Sequence, residues 1–277
     1  MSSSMTALST STSVPCEPRP HLASSVVAPR DLTVADRRQM YELLRKYFSG
    51  TTRAGFDADL REKESVILVR DGRTGRIQGF STLMRMRSSV DGREVVAFFS
   101  GDTIVDRRYW GETLLSRTWG ETVLTQAERV VAEYPETSVY WFLICSGYKT
   151  WRFLPLFFRK FYPNADTPTP PHIRRILDTL GTAKFGDQYR ADQGIVRFRH
   201  ATPLRPGIAD VTEERLRDPN VAFFVERNPG HAAGDELACL AALWRSNLTR
   251  AAHRLISRVN SQPPTPNRQG ESIERTG

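Results

Sequence analysis

Few residues of this 277-residue chain stand where chemistry could be done. Asp102 is the only carboxylate inside AFFSGDTIV, the second part of the run REVVAFFSGDTIV (93–105), whose Val, Phe, Ile and Thr content reads as a strand. Strict alternation puts Val95, Ala97, Phe99, Gly101, Thr103 and Val105 on one face. Val96, Phe98, Ser100, Asp102 and Ile104 then share the other. Both faces are mostly apolar, which implies a central strand covered on both sides. A carboxylate there is desolvated, so its pKa rises toward neutrality and it can take a proton from an attacking nucleophile. Equally, Asp102 could hold backbone amides in a bulge beside Gly101, and the sequence leaves both readings open.

Next comes a basic turn, Asp106-Arg107-Arg108-Tyr109-Trp110-Gly111, and then an apolar stripe at helical spacing through Leu115, Trp119, Val123, Ala127 and Val130. A strand that feeds a helix presents unpaired N–H groups and the positive end of the helix dipole, and these bind phosphate. Arg107 and Arg108 add charge, and Gly111 permits close backbone approach. The same residues would also serve simply to cap a surface turn.

The elements that position these residues follow from periodicity. Helices are expected from a start at Thr33-Val34-Ala35-Asp36 to Gly50, and over 52–62. Strands 65–70, 76–87 and 93–105 are joined by Gly-containing turns into an antiparallel meander. The helix after the basic turn leads to an apolar strand at 138–145, a crossover that makes the strands 93–105 and 138–145 parallel neighbours. A short helix is expected over 151–161, where Phe and Trp side chains form core or line a channel. Beyond it the pattern predicts a helix at 172–180, strands at 195–200 and 221–226, and a helix from Asp235 to about Val259. His231, Asp235 and Glu236 match no metal-ligand spacing, and the two acids fit that helix start.

Composition bounds the partners. The net charge of +8 favours anionic ones, which include nucleotide-like cofactors, nucleic acid and membrane surfaces. Cys16, Cys145 and Cys239 show neither C-x-x-C spacing nor a His/Cys cluster, so no structural zinc or disulfide framework is expected. No transmembrane run or signal-peptide core is present in the sequence, and a cytoplasmic protein is expected. Residues 1–30, rich in Ser, Thr and Pro, and residues 260–277 are expected to be disordered tails.

Strand, R-R-Y-W-G-E-T (107–113) and helix together resemble the acyl-coenzyme A pyrophosphate loop of the GNAT N-acyltransferase superfamily, usually Q/R-x-x-G-x-G/A. Arg108 stands at the Q/R position and Gly111 at the first Gly, while Thr113 replaces the final Gly or Ala. The order helix, helix, three antiparallel strands, helix, strand, helix over residues 31–164 is also similar to that family. The resemblance implies an α/β fold with a mixed, mostly antiparallel sheet flanked by helices. Residues 165–259 then form a C-terminal α/β extension packed on the sheet.

It further implies transfer of an acyl group from acetyl-coenzyme A, a longer acyl-coenzyme A or an acyl-carrier protein to a small-molecule amine, without a metal. Thr103, Ile104 and Val105 would bond the pantetheine arm. The amides of Tyr109, Trp110, Gly111, Glu112, Thr113 and Leu114, with Arg107 or Arg108 nearby, would hold the pyrophosphate. Asp102 would be the base. Phe158 stands where the family commonly has the Tyr that protonates the leaving thiolate, so the usual acid is absent or is supplied by Tyr148 or Tyr162. The rival reading is a non-catalytic protein of this fold that binds an anionic partner through its basic surface; no nucleic-acid-binding signature supports it.

Overall fold

A computed structural model describes residues 21–257. In chain order the elements are β1 (Leu22–Val27), α1 (Val34–Tyr47), α2 (Arg53–Arg61), β2 (Ser65–Asp71), β3 (Ile77–Val90) and β4 (Arg93–Val105). Then come α3 (Leu114–Glu133), β5 (Ser138–Cys145), α4 (Tyr148–Trp151), α5 (Phe153–Phe157), β6 (Phe161–Tyr162) and α6 (Pro171–Phe185). The last are β7 (Tyr189–Arg190), β8 (Ile195–Val196), α7 (Glu213–Leu216), α8 (Pro219–Arg227), β9 (Glu236–Ala242) and α9 (Arg250–Ser257).

Local chemistry starts and stops these elements. Thr33 and Asp36 form a capping box that opens α1, and Thr52 caps α2 through the Gly55 amide. The β3–β4 hairpin turns at Asp91-Gly92, both with positive φ, as a two-residue turn of the right twist requires.

One sheet runs β1-β2-β3-β4-β5-β9-β8-β7, with β6 also paired to β9. Every neighbour is antiparallel except β4 and β5. Mixed, mostly antiparallel and flanked by helices, this is the fold class expected from the sequence. Helices α1, α2 and α6 cover one face, over Phe80, Phe99, Phe142 and Leu240. On the other, α3, α4, α5, α8 and α9 cover Val96, Phe98, Trp141 and Leu143. No helix among the described residues is long and apolar enough to cross a membrane.

Several expectations are corrected, among them the helix at 151–161, which ends at Phe157, and the strand at 195–200, which covers only Ile195–Val196. Residues 22–27, assigned to a tail, form β1 and pair with β2 from Val66 to Asp71. Residues 221–226 lie in a helix, because the Asp218 side chain caps the Asn220 amide and Pro219 occupies the first helical position. Residues 236–242 (ELACLAA) are a strand, not a helix start: Ala and Leu favour helix, but pairing with β5 and burial on both faces override propensity. The C-terminal segment is therefore not laid on a finished sheet; β9 sits inside it. Helix α6 also runs past Gly181, whose place within the helix lets the Tyr189 ring pack against the backbone. The expected tail residues 1–20 and 260–277, and the predicted helix end at Val259, lie outside the described residues.

Candidate functional site

The site begins where β4 and β5 separate. They pair in parallel from Val95↔Ser138 to Ser100↔Leu143, and no further. Beyond that point β5 stays with β9 as far as Cys145↔Leu237, and β4 stays with β3 as far as Gly79↔Val105. Among the described residues no strand pairs with the β5-facing edge of residues 101–105. A cleft of about 1150 Å³ occupies the gap and passes through to both faces of the sheet.

A bulge shapes the parting strand. Leu83 pairs with Ser100 and Ser81 with Thr103, so Gly101 and Asp102 together oppose Thr82. The extra residue reverses the alternation predicted for this strand. Val105 packs with the cluster of Phe98, and Ile104 joins that of Phe80. Asp102 leaves the face of Ser100 and turns toward α2, near Asp59 and Lys63. Gly101 permits this, because a Cβ there would stand 2.7 Å from Thr82 Oγ1 and 2.8 Å from Lys63 Cε.

Three acids gather on this side. Burial pushes Asp102 up to about 7, with the Asp59 charge adding to the shift and Lys63 opposing it. Burial likewise pushes Glu236 up to about 8, against a hydrogen bond from Ser146 and with help from the charges of Asp102 and Asp59. Both side chains line the cleft. The Lys63 side chain is fully buried; its Nζ donates to the Asp59 carbonyl at 3.1 Å and to the Asp59 carboxylate.

The opposite side of the split is mostly apolar, with the hydroxyls of Ser100 and Ser116. Ser100 Oγ accepts from Trp119 Nε1 and from Trp141 Nε1, each at 2.9 Å. Two indole donors fill its acceptor positions, so its own proton is free to donate. Ser100 lines the cleft at the point of separation, and its hydroxyl donates to no acceptor among the described residues.

The basic turn lies at the mouth. Several of its amides are committed internally: Arg107 N donates to Tyr47 Oη at 2.5 Å, Arg108 N to Asp106 Oδ1 at 3.2 Å, Tyr109 N to Asp106 O, Trp110 N to Arg107 O and Glu112 N to Tyr109 O. The amides of Gly111, Thr113 and Leu114 make no hydrogen bond among the described residues. Arg108 is held by Asp106 at 3.0 Å and by Gln78, and Arg107 donates to Gly207 O. Thr103 Oγ1 bonds Ser81 Oγ at 2.8 Å, and Trp110 Nε1 takes the Val105 carbonyl at 3.0 Å.

Lys149 faces the cleft, with Nζ 4.0 Å from the Trp110 ring centroid. Burial lowers its pKa, and the Arg215 and Arg107 charges lower it further. Tyr148, the expected acid, is instead 1% exposed in the core, its hydroxyl without a partner among the described residues, and does not line the cleft. Tyr162 does not line it either.

Sequence reasoning missed Glu236, Lys63, Ser100 and Lys149. Only Lys63 had a legible signal, as a cation two residues before the strand at 65–70. Asp235, next to Glu236, is bound by Arg197 through two guanidinium nitrogens and stays out of the cleft. Among the described residues no group of His, Cys, Asp or Glu is arranged to hold a metal ion.

No family model matches the chain, and no curated protein matches it. Solved structures do. A conserved protein of Enterococcus faecalis described as a probable N-acyltransferase is 12% identical at a TM-score of 0.38, over 51% of this chain and 33% of that one. The GNAT family N-acetyltransferase YhbS of Escherichia coli, solved with CoA, is 17% identical at 0.33, over 50% of this chain and 70% of that one. An acetyltransferase of Trypanosoma brucei is 22% identical at 0.33, over 53% and 99%. The chain thus matches about a third of the length of the Enterococcus protein.

Proposed function

We propose that this protein transfers an acyl group from a thioester, carried by coenzyme A or an acyl-carrier protein, to an amine. The observation that carries the reading is the parting of β4 from β5 beside two carboxyls raised to about 7 and about 8. An open strand edge suits the amides of a pantetheine arm. The free amide of Gly111, with Lys149 on the cleft wall and the Arg107 guanidinium over the Trp110 ring, suits its phosphate.

The amine arrives as an ammonium ion, which the ionised fraction of Asp102 attracts. Asp102, ionised in part near neutral pH, takes its proton, and the freed lone pair attacks the thioester carbon. The Ser100 hydroxyl donates to the carbonyl oxygen as negative charge develops there. The C–N bond forms, the C–S bond breaks, the second proton of the attacking nitrogen passes to the departing sulfur, and the thiol leaves toward the basic mouth. Holding the two reactants in line supplies much of the acceleration. A nucleic-acid partner fits the cleft poorly, because its centre is acidic.

Thiol release from acetyl-, octanoyl- and hexadecanoyl-coenzyme A, and from acyl-carrier-protein thioesters, tests the reading against a panel of primary amines. Release that needs both thioester and amine is expected. No amine-dependent release from any donor would overturn it.

A further inference from the structure

The cleft does not stop at the acids. On the Ser100 side it continues between α3, α5 and α9, walled by Trp119, Gly120, Leu124, Phe157, Ala252 and Ile256. No charged side chain stands on these walls among the described residues. The whole opening, about 1150 Å³, exceeds the roughly 300–1,000 Å³ usual for a small-ligand site. An acetyl group would leave this apolar surface wet, which the hydrophobic effect opposes.

We propose that this chamber holds a long aliphatic acyl chain, so that the donor is a long-chain thioester and acetyl is a poor substitute. The inference rests on the acyl-transfer reading and names its donor. The bulge supports it: by turning Asp102 to one face and leaving Ser100 on the other, it divides the reaction between an acidic side for the amine and an apolar side for the chain. The carbonyl at Ser100 places the first carbons at the chamber's entrance.

Its depth sets the length. Lining positions on α3 run from Leu115 to Leu124, about 13 Å along the helix axis, which accommodates an extended chain of about ten carbons. Gly120 helps keep this space. A Cβ there would come within 3.2 Å of Ile256 Cδ1, so the bare backbone lets α9 close the chamber without filling it.

Calorimetric titration of the full chain with acetyl-, octanoyl-, decanoyl- and hexadecanoyl-coenzyme A tests this. Each buried methylene strengthens binding by up to about fourfold. Decanoyl-coenzyme A is therefore expected to bind at least about 100-fold more tightly than acetyl-coenzyme A. Ala252→Phe, which fills the chamber, is expected to weaken decanoyl-coenzyme A by about tenfold and leave acetyl-coenzyme A unchanged. If that variant does not fold, Leu255→Trp projects into the same space.

Equal affinity for acetyl- and decanoyl-coenzyme A would overturn the proposal even if amine-dependent transfer is seen. So would a folded filling variant that binds decanoyl-coenzyme A as well as the wild type does. Chain-length-dependent binding with no transfer to any amine would keep the chamber and sink the transferase reading.

Discussion

The two sides of the gap between β4 and β5 share a strand and differ in almost everything else. Toward α2 and α6 the cleft is lined by Asp59, Asp102 and Glu236, with Lys63 buried beneath and Lys184 at the edge. Toward α3 and α9 it is lined by aromatic and aliphatic groups, with the Ser100 hydroxyl fixed between two indoles. A regular strand would have put Ser100 and Asp102 on the same face. One extra residue separates them, so a local irregularity in β4, not a change of fold, gives the opening two chemistries.

Removing the acid should break this contrast most severely. Asp102→Asn is expected to lower the transfer rate by about 100-fold or more, with thioester affinity intact, in steady-state and binding measurements. A rate within about threefold of the wild type would return Asp102 to a purely structural role.

The acids should also imprint a pH dependence. Transfer is expected to climb as pH rises through about 7, where Asp102 loses its proton, and then to level off. Stability should move the other way. The folded pKa values, about 7 and about 8, lie above the ordinary 3.8 and 4.5, so the neutral forms are favoured in the folded state. Their stabilising contribution is complete below about pH 4 and is lost as pH rises through 7 to 8. Thermal melts of Glu236→Gln should therefore show a smaller fall in Tm between pH 5 and pH 9 than the wild type.

On the apolar side, Ser100→Ala strands two indole N–H groups and deletes the donor. A rate about tenfold lower and a Tm lower by several degrees are expected. The smallest effects lie at the mouth. Lys149→Ala should weaken thioester binding severalfold, and Arg108→Ala should change it by less than about twofold, since Asp106 and Gln78 already hold that guanidinium. The reverse order would move the phosphate site to Arg108.

Asp102 and the strand–turn–helix around it were legible because an acid in an apolar run and a Gly after paired arginines are local patterns. The bulge was not, since register depends on the partner strand, although Gly101 marked the place. Glu236 was read at a helix start for a related reason: LACLAA has helical propensity, and only the contacts with β5 make it a strand. Tyr148 was chosen for its chemistry, but the turn after Cys145 directs its ring into the core. Phe153, Phe157 and Phe158 of the 151–161 run line the cleft, whereas Trp151 and Leu154 are core, so that stretch does both things the sequence allowed.

The central position of β9 also has a bearing on how the chain is made. Its partner β5 leaves the ribosome roughly 90 residues earlier, an interval of about 5–20 s at ordinary rates of synthesis. Until β9 arrives, the hydrophobic edge SVYWFLIC lacks its neighbour and Glu236 is not yet beside Asp102. The nascent protein must therefore shield an adhesive strand before it has a complete site, which makes this interval the one in which a chaperone or a slow codon would matter most.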